Sequence, residues 1–236
     1  VGVLGKEGGS GGWSHLHFGI VSRQPSGSWG TQEAYAFVWD AYVREHKPDI
    51  IAVARPHHLL AVGELVTLDA TKSWSATGDI ASYDWTFTDG TTGSGSTVER
   101  SYGKPGMYTE TLRIKDNHGN VDFDFAVVQV VDPTRPDELP PSIHPTYYPT
   151  TGILAGDKVT FKVRSFRTAD GEEVWDFGDG TAPVTVKSDG NAEKLAKDGY
   201  AITEHTFKNA GMYIVHVQRT NARGESAIGC LAVHVE

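Results

Sequence analysis

Trp175-Asp176-Phe177-Gly178-Asp179-Gly180-Thr181 decides how this chain is read, because Trp85-Thr86-Phe87-Thr88-Asp89-Gly90-Thr91 stands 90 residues before it. Aromatic residues at every second position mark one buried face of a strand. The closing Asp-Gly suits a tight turn, in which the carboxylate accepts local backbone bonds and glycine takes a positive φ. The echo continues outward on both sides. Gly63-Glu64-Leu65-Val66-Thr67-Leu68 matches Gly156-Asp157-Lys158-Val159-Thr160-Phe161 at an offset of 93. Tyr102-Gly103-Lys104-Pro105-Gly106-Met107-Tyr108 matches Phe207-Lys208-Asn209-Ala210-Gly211-Met212-Tyr213 at an offset of 105, as does Asp116-Asn117-His118-Gly119 with Asn221-Ala222-Arg223-Gly224. The same blocks in the same order are an internal repeat. The second copy carries 15 more residues between its Trp block and its Gly-Met-Tyr block, as the two offsets require.

Each copy reads as all-β. Leu65–Leu68, Tyr83–Phe87, Tyr108–Ile114 and Phe125–Val131 are short runs of β-branched and aromatic residues, punctuated by Gly, Asp and Asn. Alternation recurs in Val159, Phe161, Val163 and in Val215, Val217. Two such faces packed together make a β-sandwich, with Trp85 and Trp175 filling the space between the sheets. Gly106 and Gly211 are expected in a turn before the strands that begin at Tyr108 and Tyr213. Asp132–Pro141 has four prolines, the composition of an extended, semi-rigid linker. The insertion of copy two, Pro183–Glu204, reads as a solvated loop with one or two helical turns over Asn191–Lys197, and as a binding loop in its sharper form.

Composition bounds the function. The chain has 236 residues and a net charge of −9, against the basic face that nucleic-acid binding or docking on anionic membranes needs. No apolar run approaches membrane-spanning length. Cys230 is the single cysteine, so no internal disulfide supports the fold. In the apolar run Ile228–Val233 it is expected as a buried small hydrophobe rather than a reactive thiol. P-loop, Rossmann and Gly-x-Ser-x-Gly patterns are missing from the sequence.

Trp-x-Phe-x-Asp-Gly, the later Tyr/Phe-x-x-x-Gly-x-Tyr and the closing Asp/Asn-x-x-Gly turn resemble the PKD (polycystic-kidney-disease-type) domain, over about residues 52–132 and 142–236. Copy two carries the full signature; copy one departs at Thr86 and Thr88. The resemblance implies two immunoglobulin-like (PKD) β-sandwiches in tandem that serve as spacers or as modules binding glycan or protein. Tyr147 and Tyr148 are candidates for sugar stacking. Asp89, Asp176 and Asp179 are candidate ligands for Ca²⁺, which takes several hard oxygens.

The first 50 residues differ in character. A glycine-rich run leads to Trp13-Ser14-His15-Leu16-His17-Phe18-Gly19-Ile20-Val21, in strand spacing with both imidazoles on one face. After a Ser/Gly-rich turn, Thr31 is placed to cap a helix over Gln32–Glu45, with Tyr35, Val38, Trp39, Tyr42 and Val43 on one stripe and Pro48 as its stop. A strand and one helix are too small for a core of their own and must pack on the first sandwich or on something upstream. Gly5–Gly12 followed by His15-Leu16-His17-Phe18 resembles the end of a lysostaphin-type (LytM-like) zinc endopeptidase domain, departing at Trp13-Ser14. That resemblance implies that His17 ligates Zn²⁺ and that His15 is the catalytic histidine beside it. The family's other two ligands, a His and an Asp, belong to a stretch upstream of these residues. The start at Val1 is therefore expected to cut through a catalytic domain, and the chain alone is expected to be inactive.

The expected layout is thus an endopeptidase-like fragment over 1–50, a sandwich over 51–132, a linker over 133–141 and a second sandwich over 142–236. The expected parent is an exported, secreted or cell-surface bacterial zinc metalloendopeptidase-like protein. Its partners would be peptidoglycan, extracellular protein or polysaccharide. The alternative is a non-enzymatic cell-surface adhesive or structural module. His57-His58 would face opposite sides of a strand, which makes them poor co-ligands.

Overall fold

The computed structural model describes residues 19–189 and 199–236, in two compact units, 1–49 and 50–236. His15, His17 and the stretch Asn191–Lys197 lie outside the described residues.

In the first unit a hairpin joins β1 (Ile20–Arg23) to β2 (Trp29–Gln32), with Ile20 opposite Gln32. Helix α1 spans Tyr35–His46. It starts at the first residue of its apolar stripe, three residues later than the expected Gln32, because Thr31 is paired with Val21 in the hairpin and cannot cap it. Ala34 occupies the N-cap and offers no side-chain acceptor; a carboxylate oxygen of Glu33 accepts the Tyr35 N–H instead. At the other end Lys47 takes a left-handed conformation and its N–H donates to the Val43 carbonyl, one residue before Pro48. None of the helix residues is buried.

The second unit holds both sandwiches. Copy one comprises β3 (Ile50–Ile51), β4 (His58–Ala61), β5 (Leu65–Asp69), β6 (Trp74–Ser75), β7 (Ile80–Thr86), β8 (Thr92–Ser94), β9 (Thr97–Ser101), β10 (Gly106–Asp116) and β11 (Val121–Val131). β5 and β9 form one face; β8, β7, β10, β11 and β4 form the other, in that order. Between them lie Leu68, Trp85, Leu112, Ile114, Val128 and Val130, all essentially inaccessible. Copy two comprises β12 (Ser142–Tyr148), β13 (Lys158–Phe166), β14 (Glu173–Asp176), β15 (Val184–Val186), β16 (Ala201–Thr206), β17 (Gly211–Thr220) and β18 (Ser226–Val235). Sheet β12-β13-β16 packs on β15-β14-β17-β18 around Val159, Phe161, Trp175, Phe177, Phe207 and Val215. The described ends of the insertion are ordered structure rather than solvated loop: they contain β15, buried Ser188 and the start of β16.

The two copies are joined. β7 pairs with β10 only over Thr111–Asp116, which leaves the first half of that edge free. β18 takes it in parallel, with Met107 opposite Ala227, and the Thr109 hydroxyl donates to the Ile228 carbonyl at 2.6 Å. Gly106 opens β10 instead of sitting in a turn. Its reason is close approach: a Cβ there would lie 2.7 Å from the Ser226 carbonyl oxygen. The proline-rich linker is folded, not extended. The Arg135 N–H donates to the Asp132 carbonyl and the Glu138 N–H to that of Arg135, two successive turns. Arg135 pairs with Asp132 at 2.8 Å, Glu138 at 2.9 Å and Glu225 at 3.6 Å, which fastens the linker to the β17–β18 turn.

Candidate functional site

The repeated motif builds the same constellation twice. Trp85 and Trp175 point into the cores, and Phe87 and Phe177 follow two residues on. The chain then turns at Asp89-Gly90 and Asp179-Gly180, both glycines having φ near 80°. Each aspartate accepts the N–H and hydroxyl of a threonine two residues later, Thr91 or Thr181. A basic side chain from the opposite sheet completes each turn. In copy one the Arg100 guanidinium lies 4.0 Å above the Phe87 ring and donates to Asp89 at 2.7 Å. In copy two His205, at the matching position, stacks on Phe177 with centroids 3.9 Å apart and meets Asp179 at 2.8 Å. Thr91 and Arg100 hold the Asp89 carboxyl down at about 2. Burial opposes ionisation of Asp179, but the bonds from Thr181 and His205 outweigh it and also hold it at about 2. Asp176 accepts the Gly178 N–H. The three aspartates expected as Ca²⁺ ligands therefore serve first as turn acceptors.

The copies differ at one motif position for a steric reason. Gly178 has φ 70°, and a Cβ there would lie 2.5 Å from the Ile214 carbonyl oxygen. Thr88 stands at this place in copy one. Its N–H donates at 2.7 Å to Glu110, a fully buried carboxylate that also accepts the Tyr102 hydroxyl. Burial raises the Glu110 pKa above the ordinary carboxylate value.

Copy two also holds polar groups in its core. Arg219 and Glu173 are fully buried and meet at 2.8 Å. Ser165 and Ser188 also donate to Glu173, and the Arg219 Nε–H donates to the Asp170 carbonyl. Burial pushes the Glu173 carboxyl up, but the bonds from Ser188, Ser165 and Arg219 hold it below its usual range. The repeat offsets could have revealed the pair, since they place Arg219 and Glu173 where copy one has Ile114 and Tyr83, on core-facing positions.

The tyrosine pair divides. Tyr147 packs against the core and its hydroxyl donates to the Ala232 carbonyl at 2.8 Å, so it is unavailable for stacking. Tyr148 is 75 % exposed on the outer face of sheet β12-β13-β16. Its register row holds Thr160 and Glu204; the next row holds Thr146, Lys162 and Ile202, the last 56 % exposed. Lys158 and Glu204 form an ion pair at 2.9 Å on the same face. An exposed ring on a hydroxyl-bearing sheet face is suited to stacking against an extended polymer.

The remaining candidates carry less. His58 opens β4 and His57 precedes it. Cys230 is buried 3.3 Å from the His216 imidazole, and burial pushes its thiol up to about 12, which keeps it protonated and unreactive. His17 and His15 lie outside the described residues. A catalytic zinc needs about three protein ligands. Among the described residues no three His, Cys, Asp or Glu side chains are grouped to hold a metal. No described helix is long and apolar enough to cross a membrane.

Comparison with known proteins agrees with the repeat. Residues 46–130 and 146–231 each match a family model described as a PKD domain. Collagenase ColA of Clostridium perfringens is 30 % identical over 81 residues, which is 34 % of this chain and 7 % of that protein. The solution structure of the PKD domain from the KIAA 1837 protein is 28 % identical, covering 34 % of this chain and 85 % of that one, with a TM-score of 0.30. A structure from the β-sandwich superfamily of carbohydrate-binding modules is 15 % identical, covering 79 % of this chain and 94 % of that one, with a TM-score of 0.33. With both family matches falling on the two sandwiches and together spanning well over half of its length, the chain belongs to the PKD-domain proteins and carries two of these domains in tandem.

Proposed function

We propose that this chain is the accessory part of an exported or cell-surface peptidase, a fixed pair of PKD domains that holds a polymeric substrate or matrix through the outer face of the second sandwich. The observation that carries this reading is Tyr148, a large aromatic ring 75 % exposed on the outer face of a β-sheet amid threonine hydroxyls and Lys162. The likeness of 81 residues to a collagenase supports a peptidase-associated setting. Polysaccharide, peptidoglycan and fibrous protein are the partner classes that such a face fits. In a longer parent, His17 would ligate zinc and His15 would stand beside it, as the likeness of Gly5–Phe18 to lysostaphin-type domains implies.

The test is co-sedimentation of the chain with insoluble collagen, peptidoglycan and a neutral polysaccharide. At least one is expected to retain it, with Tyr148→Ala weakening retention about tenfold, as loss of one stacking contact of about 1–1.5 kcal/mol predicts. Equal retention of the variant would remove the face from consideration. A second reading, a non-enzymatic adhesive or structural module, draws on the locked junction between β10 and β18. An intact natural protein without zinc and without peptide hydrolysis selects it.

A further inference from the structure

The two copies differ in one sheet edge. In copy two, β12 covers the outer edge of β13 antiparallel, with Tyr148 opposite Thr160, Tyr147 opposite Phe161 and Thr146 opposite Lys162. At the offset of 93 those β13 positions are Thr67, Leu68 and Asp69 of β5, and the covering residues are Val53, Ala54 and Arg55. In copy one that covering segment is held elsewhere. The Ala52 and Ala54 N–H groups donate at 2.7 Å to the Asp122 and Asp124 carboxylates of β11, and the Val53 N–H donates to the Ser73 hydroxyl. At the offset of 105 the two aspartates correspond to Ala227 and Gly229, which offer no such acceptor. β5 is left with β9 alone, in a two-stranded sheet.

The bare edge has a defined chemistry. The Ala70 N–H donates to the Ser96 carbonyl, and bonded pairs alternate along an antiparallel ladder, so Val66 and Leu68 also bond β9. The N–H and carbonyl groups of Leu65, Thr67 and Asp69 therefore point away from β9. Among the described residues none of these groups has a hydrogen-bond partner. The side chains of the same three residues lie on the outer face, in register with Ser101, Glu99 and Thr97. Two of the six are carboxylates and none is basic. A strand added here exchanges both backbone bonds with Thr67, and its residue opposite Thr67 shares the face of Glu99. We propose that the outer edge of β5 receives an extended basic segment of a partner polypeptide. It runs antiparallel, as β12 does in copy two, with Lys or Arg on the carboxylate-bearing face and apolar residues turned inward, as Tyr147 is. A second copy is the poorer occupant, because pairing β5 with β5 about Thr67 sets two acidic faces side by side. The net charge of −9 favours the same basic partner. This site lies on the first sandwich and does not depend on Tyr148.

The experiment is fluorescence anisotropy of the labelled peptide Lys-Val-Lys-Val-Lys-Val-Lys with the whole chain at physiological ionic strength. With lysine opposite Thr67, the lysine backbone N–H groups face the edge. Methylating those nitrogens is expected to weaken binding about tenfold, and methylating the valine nitrogens to change it by less than about twofold. Thr67→Pro, which removes an outward N–H and no ladder bond, should also weaken binding about tenfold. Glu99→Gln, which leaves the backbone as it is, should weaken binding about threefold and flatten its salt dependence. Binding that tolerates lysine methylation reports charge attraction alone and overturns the proposal. Absence of binding overturns it too, as does a dimer of the chain that Thr67→Pro dissociates.

Discussion

At the scale of single residues, the two copies solve the same core with different chemistry. Copy one fills the space under its sheet with Tyr83 and Ile114; copy two fills it with Glu173 and Arg219. A buried pair of this kind is a weak source of net stability, because desolvation offsets most of the attraction. Breaking it is another matter, since the surviving charge is left without its counter-ion. Arg219→Ala is expected to lower the unfolding free energy by about 3–5 kcal/mol, read by urea denaturation. The double change Arg219→Met with Glu173→Leu should cost less than the single one, because no charge is stranded. An equal or larger loss in the double variant would show that the pair contributes more than its desolvation costs. The charges are visible in the sequence, but which of them lie inside is not, because the period-two pattern of these strands is read from their apolar members.

At the scale of elements, local chemistry was legible where it concerned strands and turns. The runs Leu65–Leu68, Tyr108–Ile114 and Phe125–Val131 lie within observed strands, while Tyr83–Phe87 overlaps β7, which begins at Ile80 and ends one residue before Phe87. The helix boundary was less legible. Thr31 has the chemistry of a cap, but the hairpin claims its backbone first. The linker departs furthest from expectation. Its prolines favour extension, yet Arg135 converts it into two turns by binding Asp132, Glu138 and Glu225 together. The Arg135 side chain is 40 % exposed, so its pairs stabilise the whole molecule little. Arg135→Ala is therefore expected to change overall stability by about 1 kcal/mol or less. It should nonetheless speed amide exchange several-fold at Arg135, Glu138 and the Asn221–Glu225 turn. Unaltered exchange at those amides would mean that the turns hold without the arginine.

At the scale of the whole molecule, the junction between the sandwiches is the decisive contact. It combines one parallel bridge, the Thr109–Ile228 hydrogen bond and the backbone approach that Gly106 permits. Gly106→Val is expected to push the two sandwiches apart while leaving each folded. Small-angle scattering should report a larger radius of gyration, and far-ultraviolet circular dichroism should be unchanged. Gly103→Ala, where a Cβ meets nothing within 4 Å, is the matched control and should behave as the unmodified chain. A Gly106→Val protein with unchanged scattering would place the rigidity of the pair in the linker rather than in the β10–β18 edge.

The sequence by itself determined the architecture of each sandwich: a repeated Trp-x-Phe-x-Asp-Gly block, alternating apolar positions and Asp-Gly turns act over a few residues, and local sterics and burial suffice to read them. It also separated the two copies and located the insertion, because repeat offsets need no structure. Only the tertiary structure decided that Tyr147 faces the core while Tyr148 faces outward, that the motif aspartates are engaged by Arg100 and His205, and that the copies share a sheet edge. The physical reason is range. These contacts join different strands, from 11 positions apart for Arg100 and Asp89 to 119 for Thr109 and Ile228, and nothing in the local pattern records which edge is left unpaired or which charge lies across the core from another.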